Sequence, residues 1–252
     1  MAEEEFNKFL LEYIERSKRD FEKCLDYLGN VPPERLPIIY SGAGLDAETI
    51  AVHALLLGNR DEALKWFRKS SESYYLQAES QRSLTGTCSW EGEMGRCEVA
   101  FDMAVLSGDH ELINKCIRQS LGICAEYPEK YPDFANSYFY LVAFTRYLND
   151  ELELARDALY KIRIVNKKHT DLCNGRRVGL LGLIACDRQG LVSGLNKILT
   201  FHAKSVNSKM PYHLISIDAT VLIKIAREKD IIVKPEDINK GLEKYVPWNL
   251  FK

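Results

Sequence analysis

The 252-residue chain predicts an all-α fold of helix pairs stacked in series, and three observations carry that prediction. Apolar residues recur at steps of three and four through nearly every long segment, which keeps one stripe of each helix against a partner. The one β-like run, Ile231-Ile232-Val233, is too short to build a sheet. Helix-ending and helix-starting residues stand back to back at intervals of about 40 to 50 residues.

In chain order the periodicity predicts helices over 4–28, 47–57, 60–84, 95–107, 110–126, 133–148, 151–166, 171–188, 191–205, 213–229 and 236–244. The series Phe134, Tyr138, Leu141, Thr145, Leu148 and the series Leu152, Ala155, Leu159, Ile162 exemplify the spacing. Caps mark the boundaries. Leu57-Gly58-Asn59 ends one helix on a glycine suited to the left-handed C′ position and opens the next on an N-capping Asn, with Glu62 three residues on. Ser107-Gly108-Asp109 repeats this arrangement, Asn149-Asp150 with Glu153 is a third case, and Arg188-Gln189-Gly190 a fourth. Two segments break the pattern. Asn30 to Gly44 holds Pro32, Pro33, Pro37, Gly42 and Gly44, and is expected not to continue a helix. Thr85 to Gly95 interrupts the second repeat and carries Trp90. Neither reads as a linker, so the chain is expected to form a single helical-repeat domain over 1–252.

The repeat interval is nearer the ~40–47 residues of armadillo or HEAT units than the ~34 of tetratricopeptide units. The wording HALLLGNRDEALKWF, from His53 to Phe67, nevertheless resembles a tetratricopeptide turn, in which small residues let two helices approach closely. The expectation is an irregular tetratricopeptide-like α-α solenoid.

Composition excludes several classes. With 46% apolar and 28% charged residues the chain is neither disordered nor collagenous, and seven cysteines in this length do not make a disulfide scaffold. A net charge of −2 is not that of a dedicated nucleic-acid binder. The longest apolar run, Val178 to Cys186, is short of the roughly 20 residues a bilayer requires. The opening MAEEEFNKFL has glutamates where a secretory signal would carry positive charge. A cytoplasmic protein is expected, with its seven cysteines as free thiols.

No constellation points to catalysis. There is no phosphate-binding glycine loop and no GxSxG elbow. His53, His110, His169, His202 and His213 are scattered, and the cysteines lack the CxxC spacing that seats two thiolates on one zinc. No catalytic residue, metal or cofactor is therefore expected. Charge is uneven along the chain. Glu91, Glu93, Glu98, Asp102, Asp109 and Glu111 share a window with only Arg96, whereas Lys161, Arg163, Lys167, Lys168, Arg176 and Arg177 share one with Asp171. An acidic surface would steer a basic partner. Thirteen Tyr and three Trp cluster along the chain, and the consecutive Tyr138, Phe139 and Tyr140 cannot all face one stripe. Aromatic side chains of this kind favour binding hot spots. Trp90, Glu91 and Glu93, with Tyr138 and Tyr147, are the expected partner-facing residues.

The C-terminal stretch GLVSGLNKILTFHAKSVNSKMPYHLISIDATVLIKIAREKDIIV, followed by YVPWNLFK, resembles immunity protein family forty-nine of bacterial polymorphic toxin systems. The resemblance covers residues 190–252 and extends over the rest only as a helical-repeat pattern. It implies no catalysis: such a protein binds and neutralises a cognate toxin, often a nuclease or deaminase, in the cell that makes it. Holding a lethal enzyme implies a Kd near nanomolar, about −12 kcal/mol. The alternative reading is a tetratricopeptide-like adaptor for a peptide or protein partner.

Overall fold

The computed structural model describes residues 3–88, 90–163, 170–206 and 214–251, and among them every regular element is helical. The chain divides into two compact units. Where the sequence reads as one domain, the first unit takes α1 (Glu3–Leu28), α2 (Leu36–Leu56), α3 (Arg60–Thr85), α4 (Glu93–Ser107) and α5 (His110–Leu121), with the C-terminal residues from Asn249. The second takes α6 (Tyr127–Lys130), α7 (Ala135–Leu148), α8 (Leu152–Tyr160), α9 (Thr170–Ile184), α10 (Arg188–Ser205) and α11 (Ile217–Glu228).

In the first unit, α1 buries Leu10, Ile14, Ser17 and Phe21, a stripe at helical spacing. Helix α2 has no polar face to speak of: Ile50, Ala51, Val52, His53, Ala54 and Leu55 are all buried, because α1 and α3 both pack on it. It also begins earlier than its prolines and glycines suggest. Pro37 sits in the first turn, where its missing N–H is not needed, after a 3-10 turn over Pro33–Arg35. Gly44, inside the helix, faces Tyr74 so closely that a Cβ would lie 2.9 Å from the ring. The C-terminus is fastened to the α2–α3 junction, where Asn249 Nδ2 donates to the Leu55 carbonyl at 2.7 Å and Arg60 Nε donates to the Leu250 carbonyl at 3.0 Å.

The breaks expected at Gly58, Gly108 and Asn149-Asp150 fall where the sequence places them, whereas Arg188-Gln189-Gly190 is the first turn of α10, which Asp187 caps by accepting from Gln189 N–H. After α2, Gly58 adopts φ +80, its N–H reaches the Leu55 carbonyl and the Asn59 N–H reaches the Ala54 carbonyl. This is a Schellman closure, and Asn59 then caps α3 through Glu62 N–H. Gly108, left-handed at φ +77, ends α4, and Asp109 caps α5 through Leu112 N–H. The same six-to-one closure recurs with non-glycine residues: Asp150 (φ +59) before α8, Cys186 (φ +51) before α10 and Asp230 (φ +60) after α11. Other boundaries differ from expectation. Helix α5 stops at Leu121, and the segment expected as a helix over 236–244 forms only 3-10 turns at Pro235–Asp237 and Glu243–Tyr245. The predicted helix start at 213 lies outside the described residues; Ser216 caps α11 by accepting from Ala219 N–H.

Helices α9 and α10 meet backbone to backbone. A Cβ on Gly194 would stand 2.3 Å from the Gly179 nitrogen, and one on Gly182 would stand 2.3 Å from the Leu191 nitrogen. No rotamer change relieves such a clash, because the obstructing atoms are main chain.

His53 is a different kind of core residue. It is fully buried, its ring meets Tyr13 edge-on at 5.6 Å, and neither ring nitrogen has a hydrogen-bond partner. Burial lowers its pKa to about 4. On the same helix, burial and then the charge of Asp20 push Asp46 up to about 6.

Two predictions follow from this packing. Gly194→Ala forces two helix backbones apart and is expected to destabilise the chain by about 3 kcal/mol in urea unfolding. For pH, the unfolded His53 takes up a proton below about 6.5 that the folded imidazole refuses until about 4, so it removes stability as pH falls through that window. Asp46 acts oppositely, because between about 6 and 3.8 the folded state holds its proton more tightly than the unfolded. Asp46→Asn is therefore expected to steepen the loss of stability between pH 6 and 4, read as urea midpoints across that range.

Candidate functional site

The loop from α3 to α4 is held by a buried charge. It turns through Gly86 at φ +81 and Cys88 at φ +57 and ends at Glu93, the first residue of α4. Glu93 is 1% exposed. Its Oε1 accepts from Arg82 Nε at 2.5 Å and its Oε2 accepts from Cys88 N–H at 2.7 Å. The guanidinium is used on every side: Nη1 donates to Glu79 Oε1 at 3.2 Å, and Nη2 donates to the Gln119 carbonyl at 2.9 Å and lies 3.7 Å from Cys97 Sγ. Gln119 Nε2 in turn donates to Glu79 Oε1 and to the Tyr75 carbonyl. Arg82 thus ties α3, α4 and α5 together, as its fixed fork of donors allows. The Cys97 thiol beside it is pushed by burial up to about 12 and stays protonated.

Trp90 stands on this braced loop. It is half-buried, and its indole lies over Gly92, where a Cβ would come within 2.7 Å of the ring. Only glycine permits that seat. Trp90 closes one end of an open cleft of about 380 Å³ formed with Pro37, Ile38 and Leu45 of α2 and Gln77 and Gln81 of α3. No charged residue lines it. Ile38 is 72% exposed and Leu45 is 54% exposed, apolar side chains left in water by the fold. Gln77 is 5% exposed, and its amide oxygen is buried without a hydrogen-bond partner.

The five expected partner-facing residues separate. Trp90 lines the cleft and Glu91 beside it is exposed. Glu93 is not at the surface, because its carboxylate is consumed by Arg82 and Cys88. Tyr138 and Tyr147 are core residues of the second unit. Tyr138 stacks on Tyr127 at 5.9 Å, and Tyr147 packs on Phe144 at 6.5 Å, with burial pushing its phenol up to about 12.

Several members of the two charge windows are paired. Asp109 bonds Arg68 at 3.2 Å, Glu111 bonds Lys115 at 2.8 Å, and Arg176 bonds Asp218 at 2.6 Å while its guanidinium lies 4.8 Å from the Tyr140 ring centre. Lys167 and Lys168 lie outside the described residues, as do His169 and His213. Of the other histidines, His202 meets Tyr245 edge-on at 5.0 Å. No group of three or more potential metal ligands occurs among the described residues. The expectation of seven free thiols holds for Cys24, Cys97, Cys116, Cys173 and Cys186, whereas Cys88 and Cys124 are disulfide-bonded. No helix among the described residues is long and apolar enough to cross a membrane.

A second, polar cleft of about 340 Å³ lies in the second unit, between Asp171, Ser193, Asn196, Lys197, Thr200 and Asn239. Its groups are engaged with one another: Lys204 Nζ bonds Asp171 at 2.8 Å, and Asn196 Oδ1 accepts from Asn239 N–H at 2.8 Å. The uncharged cleft is the stronger candidate, because the apolar side chains of Ile38 and Leu45 stand exposed along it. Ile38, Leu45, Gln77 and Gln81 were not expected there. The signal available was the lack of charge at Gln77, Gln81 and Leu84, which share one face of α3 at steps of four and three.

No family model matches the chain, and no curated protein or solved structure matches it.

Removing the Glu93 carboxylate leaves Arg82 with part of its charge uncompensated in the interior. Glu93→Ala is expected to cost about 3 kcal/mol in urea unfolding, because the guanidinium it abandons is mostly buried.

Proposed function

We propose that this protein acts by binding another protein, with the Trp90 cleft as its contact, and that the partner is a toxin which it neutralises by occlusion. The observation that carries the binding reading is the placement of Trp90: a half-buried indole on a rigidly braced loop, beside Ile38 and Leu45, which are exposed. An aromatic anchor with little rotamer freedom to lose, next to apolar surface that gains from leaving water, is what a hot spot requires. The neutralising role rests on the resemblance of residues 190–252 to immunity protein family forty-nine.

The reading includes an irregular tetratricopeptide-like α-α repeat, supported by the recurring Schellman closures at Gly58, Asp150 and Cys186. It also includes a cytoplasmic place and a nuclease or deaminase as the toxin. The disulfide-bonded Cys88 and Cys124 weigh against the cytoplasm, where such bonds are rare. A second reading, an adaptor for a peptide or protein partner, is favoured by the lack of charge in the cleft, since it needs no strongly basic enzyme opposite.

Trp90→Ala is expected to weaken binding of the toxin encoded beside this chain's gene by more than about 1 kcal/mol, with Tm nearly unchanged. Titration calorimetry and survival of toxin-expressing cells check it. Full protection by the variant would remove Trp90 from the interface, and absence of any binding by the unaltered chain would remove the toxin.

A further inference from the structure

The last described residues rejoin the first unit. Asn249, Leu250 and Phe251 group with α1 to α5, although the chain up to Trp248 belongs to the second unit. They seat on the turn between α2 and α3. Asn249 Nδ2 donates to the carbonyl of Leu55, in the last turn of α2, and Arg60 Nε, from the first residue of α3, donates to the Leu250 carbonyl. Leu250 itself is 3% exposed. The turn therefore reads three things on two successive residues: an amide side chain, then a main-chain carbonyl and an apolar side chain.

How readily the segment leaves depends on what each group keeps. The Leu55 carbonyl also accepts from Gly58 N–H at 3.0 Å, so departure of Asn249 does not orphan it. The Arg60 side chain is 45% exposed and lies 3.8 Å from Asp61, so its freed donors pass to water. Helices α1 and α3 pack on α2 themselves, and the core of the unit stays in place. What departure costs is chiefly the return of the Leu250 side chain to water. A segment held in this way opens locally, well below the cost of unfolding the unit. Its covalent attachment keeps it at high effective concentration over the seat, so it closes again.

We propose that Asn249–Phe251 is a strap that opens and closes on the α2–α3 turn while both helices stay folded, and that the open turn is a binding site for a short peptide segment carrying Asn followed by Leu. The strap fills that site in cis. The turn lies at the other end of α2 from Ile38, so the inference stands apart from the binding reading of the Trp90 cleft.

Amide hydrogen exchange on the full chain is the first test. The amides of Leu250 and Phe251, in the 3-10 turn Trp248–Phe251, are expected to exchange at least about tenfold slower than in a free peptide and at least about a hundredfold faster than those of Ile50 to Leu55. Arg60→Leu is expected to speed exchange at the strap at least about threefold and to leave α9 and α10 unchanged. Strap amides that exchange at the free-peptide rate, in step with α2, or without response to Arg60→Leu would overturn the inference. The second test takes a fluorescent peptide of residues 246–251 and the full-length Asn249→Ala/Leu250→Ala variant, whose strap lacks both recognised side chains. Anisotropy is expected to show binding to this variant at least about tenfold tighter than to the unaltered chain, whose site is filled. Adding Arg60→Leu is expected to weaken it at least about threefold. No binding to the variant at millimolar peptide, or equal binding to both chains, sinks the proposal. Should the variant not fold, the exchange measurement on the unaltered chain and on Arg60→Leu decides.

Discussion

The fold depends on how closely its helices approach one another. Glycines of α9 and α10 bring the two backbones together at Gly179 and Gly194, and again at Gly182 and Leu191, with no room for a side chain between them. In the first unit, Gly44 admits the ring of Tyr74, and the buried alanines Ala43, Ala47, Ala51 and Ala54 line α2. Backbone contact of this kind replaces many weak side-chain contacts with few close ones, and it fixes one register because a shift by one residue brings a Cβ into the partner helix. The cost is conformational, since each helical glycine loses more freedom on folding than an alanine would. Tight turns complete the constraint: an αL residue followed by a capped N-terminus reverses the chain within two or three residues.

Much of this was legible in the sequence, and the exceptions have physical reasons. The breaks at Gly58 and Gly108 were readable because glycine and the following Asn or Asp announce both halves of the junction. Cys186 does not announce an αL conformation, because its side chain disfavours it; the closing hydrogen bond from Asp187 N–H to the Gly182 carbonyl holds it there. The early start of α2 was hidden for the converse reason. Pro37, Gly42 and Gly44 lower helix propensity individually, yet Pro37 stands in the first turn and Gly44 meets a ring from α3. Propensity is local, whereas the approach of Tyr74 is not.

The site was legible in smaller part. That Trp90 stands at the rim of a cleft is legible because it lies in a helix-breaking segment, where a large aromatic has no stripe to join. Glu93 was misread because a sum over a sequence window counts its charge without finding Arg82, which is eleven residues back and a helix away. Tyr138 and Tyr147 are buried because α7 is covered on more than one side, so that the consecutive Tyr138, Phe139 and Tyr140 need not share one stripe and Tyr147 still finds a packed position. Gln77 and Gln81 carry only the signal of an uncharged step on α3, which by itself names no site. Their significance comes from α2, which places Ile38 and Leu45 opposite them.

The pairing of charges also bears on how a partner would be recognised. Had the acidic window been a free surface, long-range attraction would have set the encounter and made it sensitive to salt. With Glu93 spent on Arg82, Asp109 on Arg68 and Glu111 on Lys115, three of its six acidic groups are paired within the chain and that field is weakened. On the proposed reading, recognition at the Trp90 cleft would come from a short-range term, the removal of Ile38 and Leu45 from water, which acts only on contact. Such a site would discriminate by shape. The Arg82–Glu93 pair would serve it indirectly: the Glu93 carboxylate holds the Cys88 N–H as well as Arg82, and so braces the loop on which the indole stands before any ligand is bound.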